Sequence, residues 1–124
     1  MTEMTFVLHG HVVPAVRMTQ RSKWGKAAQN YLACREGLAL QIKTQMAEHN
    51  WDMLPDGERV QVYLSIHDSG KAGRFDCDNQ IKAVIDSLQG LAFKNDCCVD
   101  RITARRLFGS DEGDFVAVTV GVLE

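Results

Sequence analysis

The chain contains no apolar run approaching the roughly twenty residues that a membrane-crossing helix requires. Its first residues, Met1-Thr2-Glu3-Met4, lack the basic patch and apolar stretch of an export signal. It has no CxxC pair and no HxxxH spacing, so the ligand patterns of a structural zinc site are missing. His9 and His11 alternate along a predicted strand, as exposed edge residues do. Positive charge is not in excess: 14 Lys and Arg stand against 16 Asp and Glu, for a net −2. That balance excludes a nonspecific nucleic-acid coat, which depends on a strongly basic surface. It leaves room for a protein that combines acidic metal ligands with a local basic patch. Internal repeats, low-complexity tracts and linkers are missing too.

What is present is an average composition, 45% hydrophobic and 24% charged, over 124 residues. That is one domain with enough chain to bury a core. Cys34, Cys77, Cys97 and Cys98 form no disulfide framework. Reduced thiols in the cytoplasm are expected, with no membrane association.

Residues 4–13 alternate as a first strand, ended by Pro14. Residues 15–26 are irregular and basic, with Arg17, Arg21, Lys23 and Lys26 and no acid among them. Over 27–49, the positions Ala28, Tyr31, Leu32, Leu38, Ile42 and Met46 fall on one helical stripe. Residues 59–67 alternate Val60, Val62, Leu64 and Ile66 against Gln61, Tyr63, Ser65 and His67, a strand with one buried face. A polar loop follows. A second helix then runs from about Asp78 to Gln89, burying Ile81, Val84, Ile85 and Leu88 and stopping at Gly90. Residues 99–108 and 115–123 read as two strands, with 109–114 as their turn. The order β-α-β-α-β-β predicts an α+β domain: a small mixed β-sheet with two helices packed on it.

The second helix carries the chemistry. With Asp78 as the expected N-cap, Lys82 and Asp86 follow at intervals of four and share its face. Asp76 precedes the helix in extended chain and can point to the same side. Asp96 follows the helix and joins them if the fold returns its loop. Taken singly, these are a cap, an exposed ion pair and a turn residue. Taken together, they supply carboxylates for a hard cation such as Mg²⁺ and a lysine for a phosphate. Phosphodiester hydrolysis needs that set: an activated water and a stabilised charge on phosphorus. Asp76, Asp78 and Asp96 are the candidate metal ligands, and Lys82 is the candidate phosphate-facing cation.

At these residues the chain resembles the RusA family of Holliday junction resolvases. The family pattern D-x-D-N-x-x-K-x-x-x-D-x-L is read here as Asp76, Asp78, Asn79, Lys82, Asp86 and Leu88, followed by Asn95-Asp96. Residues 74–100 carry the resemblance most strongly. It implies that Asp76, Asp78 and Asp96 are acidic catalytic residues binding Mg²⁺, with Mn²⁺ as a substitute, and that Lys82 is the catalytic lysine. Asn79, Asp86 and Asn95 would support them. It also implies a homodimer that cuts paired strands of a four-way DNA junction. One departure is Asn95, where the family often has a second acid. Asp100 stands nearby as a substitute.

Junction phosphates call for Lys and Arg. Arg17, Arg21, Lys23, Lys26, Lys71 and Arg74 are the candidates, with Arg101, Arg105 and Arg106 further on; Trp24 is a candidate to stack on a base. Three alternatives stay open. They are a branched-DNA-binding protein of the same fold with weak or no cleavage, a metalloenzyme acting on a soluble phosphate ester, and a thiol or zinc protein.

Overall fold

A computed structural model describes residues 3–16, 25–71, 75–109 and 111–123. The elements are β1 (Glu3–His9), α1 (Lys26–His49), β2 (Val60–Asp68), α2 (Cys77–Leu88), a 3₁₀ turn (Asp96–Cys98), β3 (Val99–Phe108) and β4 (Phe115–Val122). The expected α+β order is present. The four strands form one mixed sheet in the order β1-β4-β2-β3.

Strict alternation builds the core. Met4, Phe6 and Leu8 of β1, Val62, Leu64 and Ile66 of β2, and Val116, Val118 and Val120 of β4 are buried on one sheet face. Ile42 and Leu38 of α1 and Val84, Ile85 and Leu88 of α2 join them in a single cluster. The opposite face is more open, with Tyr63 and Thr103 exposed. Among the described residues, no helix is long and apolar enough to cross a membrane.

Three expectations are corrected. The first strand ends at His9 rather than Val13, because Gly10 turns the chain at φ +117°. The second helix begins at Cys77, so Asp76 rather than Asp78 is the N-cap. Residues 109–114 do not form a hairpin turn between β3 and β4. β3 pairs in parallel with β2, and β4 crosses to lie antiparallel between β2 and β1. A parallel β2–β3 pair needs a crossover, and α2 supplies it.

Two details position the rest. Gln41 of α1 accepts from the His9 N–H at 2.7 Å and donates to the His9 carbonyl at 2.9 Å. Gln45, one turn on, does the same for Val7 at 3.1 and 2.7 Å. These amides occupy the free edge of β1, where an open strand would recruit another. At the other side, the β2–β3 register slips by one: Val60 faces Val99 but Gln61 faces Arg101. Asp100 is thus the extra residue of a bulge.

Candidate active site on the acidic face of the second helix

The bulge decides what faces α2. Val99 and Ile102 are three residues apart and would point to opposite faces of a regular strand. With Asp100 bulged, both line one cleft of about 320 Å³ with Ile81 and Ile85 of α2. Asp78, Lys82, Asp86 and Asp96 complete its lining. The fold therefore brings the loop carrying Asp96 back to the polar face of α2. Asp76 is not part of that lining. It stands at the helix N-cap, exposed, with no capping hydrogen bond from its carboxylate.

Asp78 sits in the first turn, where an acid is favoured by the helix dipole, and its Oδ1 accepts from the Asn79 N–H at 3.0 Å. Lys82 Nζ lies 3.4 Å from Asp86 Oδ1, at the expected interval of four. Asp86 is more than a surface partner. Tyr31 of α1, only 2% exposed, donates its phenol to Asp86 Oδ2 at 2.6 Å. Burial first, and the Asp86 carboxylate second, push the Tyr31 phenol up to about 12. Tyr31 thus fixes the carboxylate that holds Lys82.

Asn95 is used locally. It caps the 3₁₀ turn, its Oδ1 accepting from the Cys97 N–H at 3.1 Å. An amide does this as well as a carboxylate, so the departure from an acid at this position leaves the turn beneath Asp96 intact. Asp100 is paired with an arginine. Arg59 donates to its two carboxylate oxygens at 2.6 and 2.5 Å, and to the Cys97 carbonyl at 2.7 Å. That guanidinium holds the Asp100 carboxyl below the usual carboxylate range. Arg59 thereby ties the turn bearing Asp96 to the start of β2.

A second arginine supports the other end of the site. Arg106, half-buried on the helix-facing side of β3, donates to the Phe75 carbonyl and, at 2.9 Å, to Gln80 Oε1. Gln80 is fully buried and donates to the Val12 carbonyl at 3.0 Å. The Asn79 carbonyl accepts from Ala15 N at 2.9 Å. The chain entering Asp76 is therefore pinned from β3 and from the segment after β1.

Of the expected phosphate contacts, Lys26 is exposed at the first position of α1, and Lys71 is exposed after β2. Arg17, Arg21, Lys23 and Arg74 lie outside the described residues, as does Trp24. Arg101 and Arg105 are exposed on β3, Arg105 donating to Ser65 Oγ at 2.9 Å. Arg106 is taken up inside the protein. Sequence reasoning missed Arg59, Gln80 and Tyr31 as well. Each is a polar residue whose partner lies more than 20 residues away, so no local spacing signals it.

The donors offered by Asp76, Asp78 and Asp96 are all oxygen and all exposed. That chemistry fits a hydrated hard cation, which takes one or two carboxylates and keeps several waters. They do not form a closed cage. Among the described residues, one group of three His, Cys, Asp or Glu side chains has its ligand atoms all within 4.8 Å of one another, and it is elsewhere: His11, Asp68 and Asp114.

In comparison with known proteins, the family model described as endodeoxyribonuclease RusA matches residues 10–120. No individually curated protein gives a significant match.

Proposed function

The chain belongs to the RusA family of endodeoxyribonucleases, and from that premise we propose that it is a Mg²⁺-dependent, structure-selective nuclease that resolves four-way DNA junctions in recombination and repair. The observation that carries the reading is the single cleft lined by Asp78, Lys82, Asp86 and Asp96. Carboxylates for a metal and a cation for a phosphate are needed side by side; Asp78, Asp96 and Lys82 share that cleft, with Asp76 at the helix N-cap outside its lining.

Asp76, Asp78 and Asp96 would hold the cation. When bound, Mg²⁺ supplies an activated water and charge stabilisation at phosphorus. Lys82 extends over the cleft, its side chain 59% exposed, and is free to leave Asp86 for a phosphate oxygen. Asp86 and Tyr31 limit the orientations Lys82 takes before DNA arrives. Ile81, Ile85, Val99 and Ile102 give the cleft an apolar wall beside the acidic groups. Lys26, Lys71 and the basic segment after β1 would contact the junction arms, with affinity falling steeply as salt rises. A homodimer would place two identical sites on the approximate two-fold symmetry of a junction. Its place of action would be the cytoplasm.

The test is cleavage of a synthetic four-way junction beside a linear duplex of the same sequence, in Mg²⁺ and in EDTA, with Asp78→Asn as control. Paired nicks in the junction alone, dependent on Mg²⁺ and lost in the variant, support the reading. Tight junction binding without nicks in Mg²⁺ or Mn²⁺ would replace it with a branched-DNA-binding protein, a role compatible with carboxylates that are not gathered into a cage. Neither binding nor cutting would refute both.

A further inference from the structure

We propose that His11, Asp68 and Asp114 form a second cation site, apart from the acidic face of α2, that takes a first-row transition-metal ion of the Mn²⁺ or Zn²⁺ class. The sheet register assembles it. His9 faces Phe115 across β1–β4, and His67 faces Phe115 across β2–β4. The residues just past these partners, on three adjacent strand ends, are His11, Asp114 and Asp68. Gly10 N donates to the Asp114 carbonyl at 2.9 Å and closes the row.

The donor atoms of the three side chains lie within 4.8 Å of one another. An ion at about 2.0–2.4 Å from each fits that spacing. His11 Nδ1 and Asp68 Oδ2 are 3.8 Å apart, too far for a hydrogen bond and wide enough for an ion between them. Each carboxylate has one oxygen fixed by a backbone amide. Gly70 N donates to Asp68 Oδ1 at 2.7 Å, and Ser69 N donates to Asp114 Oδ1 at 2.6 Å. Among the described residues, no hydrogen bond reaches Asp68 Oδ2.

The burial of Asp68 is the independent sign that a cation is wanted. Its side chain is 2% exposed, beside a second carboxylate; among the described residues no Lys or Arg pairs with either, and the ion-pair partner of Asp68 is His11 at 3.8 Å, charged only if protonated. Beside a neutral imidazole, a carboxylate taken out of water lacks a compensating charge and is strongly disfavoured. One imidazole nitrogen with two carboxylate oxygens favours Mn²⁺ or Zn²⁺ over Mg²⁺. An ion here would join the ends of β1, β2 and β4, from which the chain departs toward Asp76. It would also restrain His11, whose ring lies 5.5 Å from that of Phe75. The site does not depend on α2 being catalytic.

Electron-spin-echo spectroscopy of the full chain loaded with one equivalent of Mn²⁺ tests this, because a directly bound imidazole leaves a nitrogen modulation that an all-oxygen site lacks. The modulation is expected in the wild type. It should persist in Asp78→Asn/Asp96→Asn, which removes ligands of the α2 face, and vanish in His11→Gln. Asp114→Asn keeps an acceptor for Ser69 N and should weaken Mn²⁺ binding at least about tenfold. Circular dichroism reports whether each variant is folded, and Asp114→Asn carries the test if His11→Gln is not. No nitrogen modulation in the wild type, its survival in folded His11→Gln, or unchanged affinity in Asp114→Asn would overturn the proposal. Loss of junction cleavage in Asp78→Asn/Asp96→Asn alone bears on α2 and leaves this site untouched.

Discussion

Replacing Tyr31 with Phe isolates one hydrogen bond that joins the core to the site. The phenol is buried, 2% exposed, and donates to Asp86 Oδ2 at 2.6 Å. A hydrogen bond to a charged acceptor contributes about 1.5–3 kcal/mol net. The ionisation adds a pH dependence. Burial first, and the neighbouring carboxylate second, raise the phenol from 10.0 to about 12, so that dependence reports the burial of the phenol together with its hydrogen bond. The sign follows from the raised value. This stability is fully present below pH 10, where Tyr31 is protonated in both folded and unfolded chains. It is lost as pH climbs through about 12, because the unfolded chain ionises first. Tyr31→Phe has no such proton. Urea unfolding at pH 7 should therefore find the variant about 1.5–3 kcal/mol less stable, and the gap should close between pH 10 and 12. No gap at pH 7 would refute the link between Tyr31 and Asp86, and a gap that stays constant to pH 12 would refute the burial of the phenol. With Lys82 released from a fixed Asp86, the variant should also cleave junctions more slowly while binding them normally.

Arg106→Ala would strand the buried Gln80 Oε1 and release the Phe75 carbonyl, with a cost of about 1–3 kcal/mol by urea unfolding; junction cleavage should fall more than junction binding. Asn95→Asp should retain activity and stability because either side chain caps the turn under Asp96, whereas Asn95→Ala should lose about 1 kcal/mol and cleave poorly. Gln41→Ala/Gln45→Ala should uncover the edge of β1, seen as concentration-dependent association by light scattering. Lys82→Ala should abolish cleavage and spare junction binding in a mobility-shift assay, and parallel loss of both would refute its assigned role.

Period alone made the elements legible. The alternation of Val60, Val62, Leu64 and Ile66, and the stripe of Val84, Ile85 and Leu88, each depend on which side of one element is dry, and that is written in consecutive residues. The boundaries of α1 and β3 agree with the expectation to within a residue, while β1 stops four residues early where Gly10 turns. Less visible was how the strands are arranged. Nothing local distinguishes a hairpin from a strand that crosses over, so the segment 109–114 read as a tight turn although β4 lies two strands away from β3.

The sequence by itself determined the two helices, the four strands and the spacing that puts Asp78, Lys82 and Asp86 on one helical face, because these follow from the 3.6- and two-residue periods of the backbone. Only the tertiary structure decided the rest. The bulge at Asp100 turns Val99 and Ile102 to the same side, and the fold returns the loop carrying Asp96 to that face. Tyr31, Arg59, Gln80 and Arg106 find their roles through contacts made far along the chain. His11, Asp68 and Asp114 meet because strand order sets three ends side by side. Such meetings depend on sheet register and on which buried polar group finds a partner, and those are settled when the whole core closes rather than in any one segment.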